Sequence, residues 1–371
     1  MNYQLTVERL LARAGITING DEPWDIRVAN EGFYRRVIRK GSLGLGESYM
    51  DGWWDAPKLD EFFFRALRTN LRKEVGISFA QFVLFLRSVI LNPQRHSRAF
   101  IIGKRHYDLG NDFYTAMLDQ RMAYSCGYWN GAKNLDEAQE AKLDLICRKL
   151  GLQPGMNVLD IGCGWGSFVK YAAEHYNVKV LGITVSKEQA VYGANLCEGL
   201  AGSTVRYADY RTLNRQFDRI VSVGMFEHVG RKNYHTFMEV VHRNLAPDGL
   251  ALLHTIGGNA SVWCNDIWID RYIFPNSMLP SVAQISRAIE GLFVMEDWHS
   301  FGADYDRTLM AWFQNFDAHW GRLQTKYGDR FYRMWKYYLL SCAGSFRARR
   351  NQLWQVVLSK KGVPGGYRSV R

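Results

Sequence analysis

The sequence has no hydrophobic run long enough to span a membrane. Its longest apolar stretch, residues 79–91, is interrupted by Gln81, Arg87 and Ser88, and it falls short of the ~20 apolar residues that a transmembrane helix needs. The first residues carry charges every few positions and lack the continuous apolar core of a secretory signal. These absences predict a cytoplasmic protein without a transmembrane helix.

Cysteine is scarce and scattered. The six cysteines form neither a CxxC motif nor a Cys/His pair with zinc-ligand spacing, which argues against a disulfide framework and structural zinc. The remaining acidic and histidine residues form no distinctive ligand set, so we predict no metal site. The 371 residues are 47% hydrophobic and 22% charged, a composition that excludes a disordered or collagen-like chain. This length suits two domains, or one large domain with an accessory domain.

Acidic residues are absent from two stretches that hold most of the positive charge. The chain has a formal net charge of +11; residues 330–371 contain ten basic side chains and residues 75–107 contain five more, which leaves −4 for the rest. Segregated positive charge favours a polyanionic partner, either nucleic acid or an anionic lipid surface. Ordinary solvated faces would give the same pattern.

The N-terminal third differs in pattern from the rest. Residues 1–75 combine short helical patterns with Gly- and Trp-rich turns, such as GSLGLGESYMDGWWD at 41–55, and they predict a small, mainly helical domain. Ser78 can cap a helix that ends at Asn92-Pro93.

From about residue 135, helices alternate with short apolar strands. This alternation is typical of a parallel sheet covered by helices on both faces, in which ligands bind beyond the carboxyl ends of the strands. The predicted strands are 157–161, 178–183, 204–207, 218–223, 250–256, 292–298 and 353–360, and the main predicted helices are 135–150, 167–175, 186–200 and 232–245.

A glycine-rich loop follows the first of these strands. The strand runs into Gly162-Cys-Gly164-Trp-Gly166 and then a helix, so the backbone can turn sharply and approach a ligand at the helix N-terminus. The GxGxG spacing differs from the dinucleotide GxGxxG, and Asp160 places a carboxylate where a cationic ligand suits better than a pyrophosphate. Thr184 stands where an NAD site has a carboxylate for the ribose. DIGCGWG therefore resembles the first motif of class I S-adenosylmethionine-dependent methyltransferases, which implies a Rossmann-like α/β fold with a seven-stranded sheet.

Seven segments together resemble one branch of that superfamily, the bacterial cyclopropane fatty acid synthase family. They are HYDLGNDFY (106–114), AYSCGYW (123–129), DIGCGWGSF (160–168), GITVSKEQ (182–189), MFEHVG (225–230), LHTIG (253–257) and ADYDRTLMAW (303–312). The resemblance extends over nearly the whole chain, including an N-terminal domain that the related mycolic acid cyclopropane synthases lack. GITVS is the family's own variant of the second strand, which accounts for Thr184.

The resemblance implies a reaction and a base. The methyl group of S-adenosylmethionine passes to the cis double bond of an unsaturated acyl chain in a membrane phospholipid, and the resulting carbocation loses a proton to close a cyclopropane ring. The family uses bound bicarbonate as the base. The positions that match its bicarbonate pocket are Cys126, Glu227, His254, Ile256 through its backbone, and Tyr305.

The residues by themselves support this pocket more weakly. Glu227, His254 and Cys126 can meet at the carboxyl edge of the sheet, although a cysteine is more often a packing residue. Without the resemblance, Tyr305 would be assigned to the hydrophobic core or to the protein surface. His228 is assigned a structural role.

The resemblance also implies the contacts of the co-substrate. Tyr124 and Ser125 match positions at the methionine end, and Gly162 and Gly164 match the loop beneath it. The remaining matched residues are Thr184 and Gln189 at the ribose and Asp209 and Tyr210 at the adenine. An ordinary turn is the alternative for the last pair.

The predicted division of the chain is 1–92, a helical domain for lipid binding or dimerisation, 93–122, a connector, and 123–371, the catalytic domain. The helix at 78–91, followed by Arg95, Arg98, Lys104 and Arg105, is typical of an interfacial helix; packing against the catalytic domain or a dimer partner is equally compatible.

The expected partners follow from the resemblance and the charge. We expect unsaturated membrane phospholipids, peripheral association with the anionic inner face of the cell membrane, a homodimer and no nucleic acid. Aromatic residues between 263 and 335 are consistent with an acyl-chain tunnel. Two alternatives stay open. One is a methyltransferase that leaves a methyl-branched or methylene chain, and the other is a non-catalytic lipid- or nucleic-acid-binding protein on the same fold.

Overall fold

The structure, a computed structural model, describes residues 2–69 and 109–371. The predicted interfacial helix at 78–91 and the basic residues that follow it lie outside these ranges. The helices are α1 (Tyr3–Ala12), α2 (Gly32–Met50), α3 (Leu59–Arg68), α4 (Asn111–Met117), α5 (Leu135–Lys149), α6 (Ser167–Tyr176), α7 (Lys187–Leu196), α8 (Tyr234–Asn244), α9 (Ile267–Tyr272), α10 (Val282–Ile289), α11 (Ala303–Tyr327) and α12 (Asp329–Arg347). The strands are β1 (Arg27–Val28), β2 (Trp54–Asp55), β3 (Asn157–Ile161), β4 (Lys179–Thr184), β5 (Thr204–Tyr207), β6 (Phe217–Val223), β7 (Leu245–Gly258), β8 (Val294–Ser300) and β9 (Asn351–Ser359).

The chain forms two compact units, and neither is continuous in sequence. The helical unit combines the described part of Met1–Leu91 with Trp263–Pro275 and Tyr305–Asn351, whereas the sheet unit takes the other described residues. The predicted catalytic domain at 123–371 is continuous in sequence and contains both of the later segments that pack with the N-terminal helices. The division into three consecutive parts stays a prediction.

Strands β3 to β9 form the predicted seven-stranded sheet, in the order β5-β4-β3-β6-β7-β9-β8. The pairs from β5 to β7 are parallel and the β8–β9 pair is antiparallel. Strand residues alternate between two buried apolar clusters, one on each face: Leu159 and Ile161 belong to one and Val158 to the other. Helices α5 and α6 contribute to the second cluster and α8 and α10 to the first. The expectation of an α/β sheet covered on both faces is confirmed.

Element boundaries follow local capping signals closely. Strands β3 and β5 have the predicted limits, and α5 begins after Asn134, whose side chain accepts a hydrogen bond from the backbone N–H of Glu137. Strand β7 is longer than the predicted 250–256, and α7 ends at Leu196 instead of 200. In the described ranges no helix has the length and apolar character that crossing a membrane requires.

The helical unit corrects one prediction. The glycine-rich segment at 41–50 was expected to form turns, but it is the second half of α2, which kinks at Gly41 with φ at 57°. Glycine disfavours a helix interior, yet a Cβ on Gly46 would collide with the indole of Trp268 and one on Gly44 with the carbonyl of Arg36. Close packing that only glycine permits therefore outweighs its low helix propensity.

Candidate active site

A cavity of about 150 Å³ lies in the sheet unit beyond the carboxyl ends of β3, β4 and β6. Eight of the nine residues predicted to bind the co-substrate line it: Tyr124, Ser125, Asp160, Gly162, Gly164, Thr184, Gln189 and Tyr210. The ninth, Asp209, is buried beside it, where its carboxylate accepts from the N–H of Arg211 and forms an ion pair with that guanidinium at 2.6 Å. One cavity thus gathers residues separated by 86 positions in sequence, from Tyr124 to Tyr210.

The glycine loop forms one wall of this cavity. Gly162, Gly164 and Gly166 all have positive φ, at 81°, 57° and 93°, which only glycine adopts without strain. A Cβ on Gly162 would come within 2.6 Å of the Met225 side chain, whereas one on Gly164 would meet nothing within 4 Å. The loop therefore packs closely against the residues that follow β6 and leaves room for a ligand at Gly164.

Asp160 supplies a buried carboxylate at the end of β3. Its Oδ1 atom has no hydrogen-bond partner among the described residues, and burial raises the pKa of this carboxyl to about 7, opposed by the nearby ammonium of Lys142. A buried carboxylate oxygen without a partner is costly unless a ligand satisfies it. This oxygen therefore suits one of the cationic groups, ammonium or sulfonium, at the methionine end of S-adenosylmethionine.

Lys142 also lines the cavity, and the sequence reasoning missed it. This fully buried lysine on α5 donates from Nζ to the Oγ atom of Ser125 at 2.9 Å. Burial lowers its pKa to about 8, opposed by Asp119, Cys126 and Asp160. One signal could have revealed it: Lys142 lies four residues after Ala138 and four before Ile146, which places it on the apolar face of the helix.

The two residues predicted to contact the ribose, Thr184 and Gln189, are hydrogen-bonded to each other. The Thr184 hydroxyl donates to Oε1 of Gln189 at 2.8 Å, and the same hydroxyl accepts from the backbone N–H of Ser186. Ser186 caps α7 through its side chain. Helix capping and site geometry thus depend on the same turn after β4.

Glu227 and His254 are buried side chains that each retain one polar atom without a partner. Glu227 lies in a short 3₁₀ turn after β6, where burial raises the pKa of its carboxyl to about 7. Its Oε1 accepts from the backbone N–H of Ile256 at 2.6 Å, but its Oε2 and the Nε2 of His254 have no partner among the described residues. Buried polar atoms without a protein partner are rare in folded proteins, and a bound water, ion or small polar ligand can satisfy them.

The other residues of the predicted bicarbonate pocket have contacts of their own. The backbone N–H of Ile256, a residue whose backbone is expected to help hold the anion, donates to Glu227. Cys126 is buried in the sheet unit, and its thiol donates to the carbonyl of Gly127 at 3.2 Å. Tyr305 belongs to the helical unit, where its ring packs on Phe346 at 4.6 Å between centroids. Its place in the pocket stays a prediction.

His228, which the sequence reasoning assigned to structure, lies in the cavity wall. Burial lowers the pKa of this imidazole to about 4, so the ring is neutral at physiological pH. No group of three or more histidine, cysteine or acidic side chains in 2–69 and 109–371 is arranged to hold a metal ion.

Comparison with known proteins places the chain in a family. Residues 94–356 match the model of the mycolic acid cyclopropane synthetase family. The chain belongs to this family. It is 55% identical over 370 residues to the cyclopropane-fatty-acyl-phospholipid synthase of Escherichia coli, an alignment that covers 100% of this chain and 96% of that protein. It is 37% identical over 260 residues to cyclopropane mycolic acid synthase 1 of Mycobacterium tuberculosis, covering 65% and 91% of the two chains.

A solved structure supports the fold and the co-substrate. The mycolic acid cyclopropane synthase CmaA1 complexed with SAH and CTAB superposes with a TM-score of 0.66 at 35% identity, covering 70% of this chain and 98% of that one. The family resemblance inferred from the seven sequence segments is therefore confirmed. The fold is that of class I S-adenosylmethionine-dependent methyltransferases.

Proposed function

We propose that this protein transfers the methyl group of S-adenosylmethionine to the cis double bond of an unsaturated phospholipid acyl chain and closes a cyclopropane ring. The observation that carries the proposal is the 55% identity to the Escherichia coli cyclopropane-fatty-acyl-phospholipid synthase along the full length of the chain. The cavity at the glycine loop, lined by eight of the expected co-substrate residues, supports it.

The residues around the cavity suit a reaction that depends on alignment. An alkene is a weak nucleophile and needs no base to start the attack, so the enzyme has to orient the methyl donor against the double bond and exclude water. Asp160 and Lys142, both buried, place one negative and one positive charge in the wall where the amino-acid end of the donor would lie. Fixed opposite charges would orient a zwitterionic ligand at little reorganisation cost.

The chemistry of the two orphaned atoms suits bicarbonate. Glu227 Oε2 is an acceptor and His254 Nε2 can be a donor, and bicarbonate carries both an O–H group and acceptor oxygens. When bound there, it would supply the base that removes a proton from the methylated cation. Glu227, His254 and Cys126, all in the sheet unit, are the residues that we propose hold it.

Ring formation in a Glu227→Gln variant tests the site. We expect this variant to lose cyclopropane formation and to retain binding of S-adenosylhomocysteine, because the amide keeps the side chain's size but donates where the carboxylate accepts. Mass spectrometry of phospholipid acyl chains from expressing cells and calorimetry on the purified protein provide the two readouts. The matched control is Glu239→Gln, an exposed glutamate on α8.

The outcomes of this experiment separate the candidate functions. Full ring formation by Glu227→Gln contradicts the bicarbonate site. Methyl-branched or methylene chains from the parent protein contradict ring closure and favour a related lipid methyltransferase. Unmodified acyl chains from the parent favour a non-catalytic lipid-binding protein.

We also propose that the enzyme binds the anionic inner face of the cell membrane peripherally, as a homodimer. The phospholipid substrate and the two basic stretches of the sequence support membrane binding.

A further inference from the structure

A single hydrogen bond lies behind the imidazole of His254. The side chain of Gln355, on β9, places Nε2 at 3.2 Å from Nδ1 of His254, on β7. Both residues belong to the sheet unit and both are completely or almost completely buried. The ring also lies edge-on to Phe301, with 5.8 Å between centroids. Within 2–69 and 109–371, the His254 ring is therefore held by one side-chain hydrogen bond and one aromatic contact.

This contact determines which ring nitrogen carries the proton. An amide nitrogen can only donate, so the facing Nδ1 has to accept and the proton of the neutral ring lies on Nε2. The ring is neutral because burial lowers the pKa of His254 well below its usual range, and the ammonium groups of Lys142 and Lys149 lower it further.

The reversed amide orientation is less favourable. It would turn the NH₂ group of Gln355 to the side where its Oε1 now has no partner among the described residues. The reversed orientation leaves both N–H groups of the amide without acceptors, whereas the present one leaves one amide N–H and the carbonyl oxygen. An anion at Nε2 would satisfy the remaining donor of the present arrangement, the Nε2–H group.

We propose that Gln355 is a positioning residue that holds His254 in the Nε2–H tautomer, so that the unpartnered N–H donates a hydrogen bond to the oxyanion bound beside Glu227. The identity of that anion as bicarbonate rests on the proposed function, whereas the tautomer does not. In this arrangement Glu227 accepts from the anion's hydroxyl and His254 donates to another of its oxygens. His254 is then an electrostatic partner of the anion and does not take the substrate proton.

Two substitutions of Gln355 test this role. In Gln355→Glu the carboxylate accepts from the ring, which draws the proton to Nδ1 and leaves Nε2 as an acceptor facing the anion. In Gln355→Met the polar contact is lost without adding a buried charge, and both tautomers become accessible. Nitrogen-15 spectra of histidine-labelled protein report the protonated ring nitrogen directly, with the His254 signal assigned by its loss in His254→Gln.

Kinetics of ring formation at varied bicarbonate provide the second readout. We expect both Gln355 variants to raise the KM for bicarbonate about tenfold or more, by analogy with the loss of affinity when a residue that orients a metal-ligating histidine is removed. The KM for S-adenosylmethionine should stay unchanged. The matched control is Gln352→Glu, which adds a carboxylate to the same buried strand and should leave the His254 tautomer and the bicarbonate dependence as in the parent.

The possible results are distinct. A parent His254 protonated at Nδ1, or a tautomer that does not change in Gln355→Glu, overturns the inference. An altered tautomer with an unaltered KM for bicarbonate overturns the role of Gln355 in anion binding. If the parent itself shows no dependence on bicarbonate, the proposed base is wrong, while the spectra still decide the tautomer.

Discussion

Individual buried charges govern the chemistry of the cavity wall. Asp160 and Lys142 lie within electrostatic reach of each other, yet burial moves the pKa of both toward neutrality. Such shifts are typical of functional sites, where desolvation is balanced by a ligand. Two predictions follow from these residues, one for stability and one for binding.

The first prediction is that the contribution of Asp160 to the stability of the protein depends on pH. Its carboxyl titrates at about 7 in the folded protein, against 3.8 as its ordinary value, so the folded state holds the proton more tightly than the unfolded state. Stability from this group is therefore lost as the pH rises from about 4 to about 7 and is constant above that. We expect the unfolding free energy of Asp160→Asn, minus that of the ligand-free parent, to increase over this window. Urea titrations at stepped pH measure it, and a flat difference would contradict the assignment.

The second concerns Lys142 and the co-substrate. Replacing this lysine by methionine removes the only positive charge among the residues that line the described cavity. We expect the affinity for S-adenosylhomocysteine to fall about tenfold to a hundredfold, the effect of losing about 1.5–3 kcal/mol from a charge-assisted hydrogen bond. Isothermal titration calorimetry checks this.

Lys149→Met is the matched control for that experiment. Lys149 is also a buried lysine of α5, seven residues later, but it faces His299 at 3.0 Å and Asp297 at 3.8 Å and does not line the cavity. Lys149→Met should lower the stability of the protein and leave its affinity for S-adenosylhomocysteine unchanged. Equal loss of affinity in both variants would mean that Lys142 acts only through folding.

Among the elements, α2 depends most clearly on tertiary packing. Its second half contains Gly44 and Gly46, and a side chain at either position would overlap its neighbours. Helix propensity is a weak preference that such packing overrides. The effect of this packing on stability can be measured by replacing two helical glycines, one closely packed and one not, by alanine.

We expect Gly46→Ala to destabilise the protein by about 1–3 kcal/mol, because the added Cβ overlaps the ring of Trp268. Gly321→Ala in α11 is its counterpart: no atom lies within 4 Å of the added Cβ, and relief of the glycine entropy cost should stabilise by about 0.5–1 kcal/mol. Scanning calorimetry would show shifts of opposite sign. Shifts of the same sign would mean that packing at Gly46 is looser than described.

At the scale of the whole molecule, folding brings acidic side chains next to a segment that is purely basic in sequence. At least four of the ten basic residues in 330–371 form ion pairs with described residues: Arg330 with Asp51, Arg333 with Asp55, Arg347 with Asp60 and Arg371 with Asp297. Acidic residues far away in sequence thus neutralise part of a stretch that contains none. This stretch is a weaker membrane-binding candidate than its composition indicates.

Two variants that each lose four positive charges compare the membrane binding of the two basic stretches. One replaces Arg95, Arg98, Lys104 and Arg105 by Gln, and the other replaces Arg349, Lys360, Lys361 and Arg368 by Gln. We expect the first variant to bind phosphatidylglycerol vesicles more weakly than the second. Each basic residue near an anionic surface contributes about 1 kcal/mol. Co-sedimentation at low and high salt is the measurement. Vesicle binding that changes neither with salt concentration nor with the substitutions would contradict the proposal of peripheral membrane binding.

The sequence by itself determined the sheet and the glycine loop, whereas the family resemblance supplied most of the residues that were predicted for the co-substrate and that line the cavity. These features are local: strand and helix periods, an N-cap at Asn134 and glycines at fixed spacing can be read from neighbouring residues. Because parallel strands end at a common edge, local strand ends also predicted which side chains would meet there.

Only the tertiary structure decided which residues distant in sequence contact one another around the predicted site. The position of Lys142 in the cavity, the use of the Ile256 N–H by Glu227 and the contact of Gln355 with His254 each join separate elements. The same holds for the ion pairs that neutralise the basic segment. No local period encodes such pairings, since they arise when burial forces polar atoms from remote parts of the chain to satisfy one another.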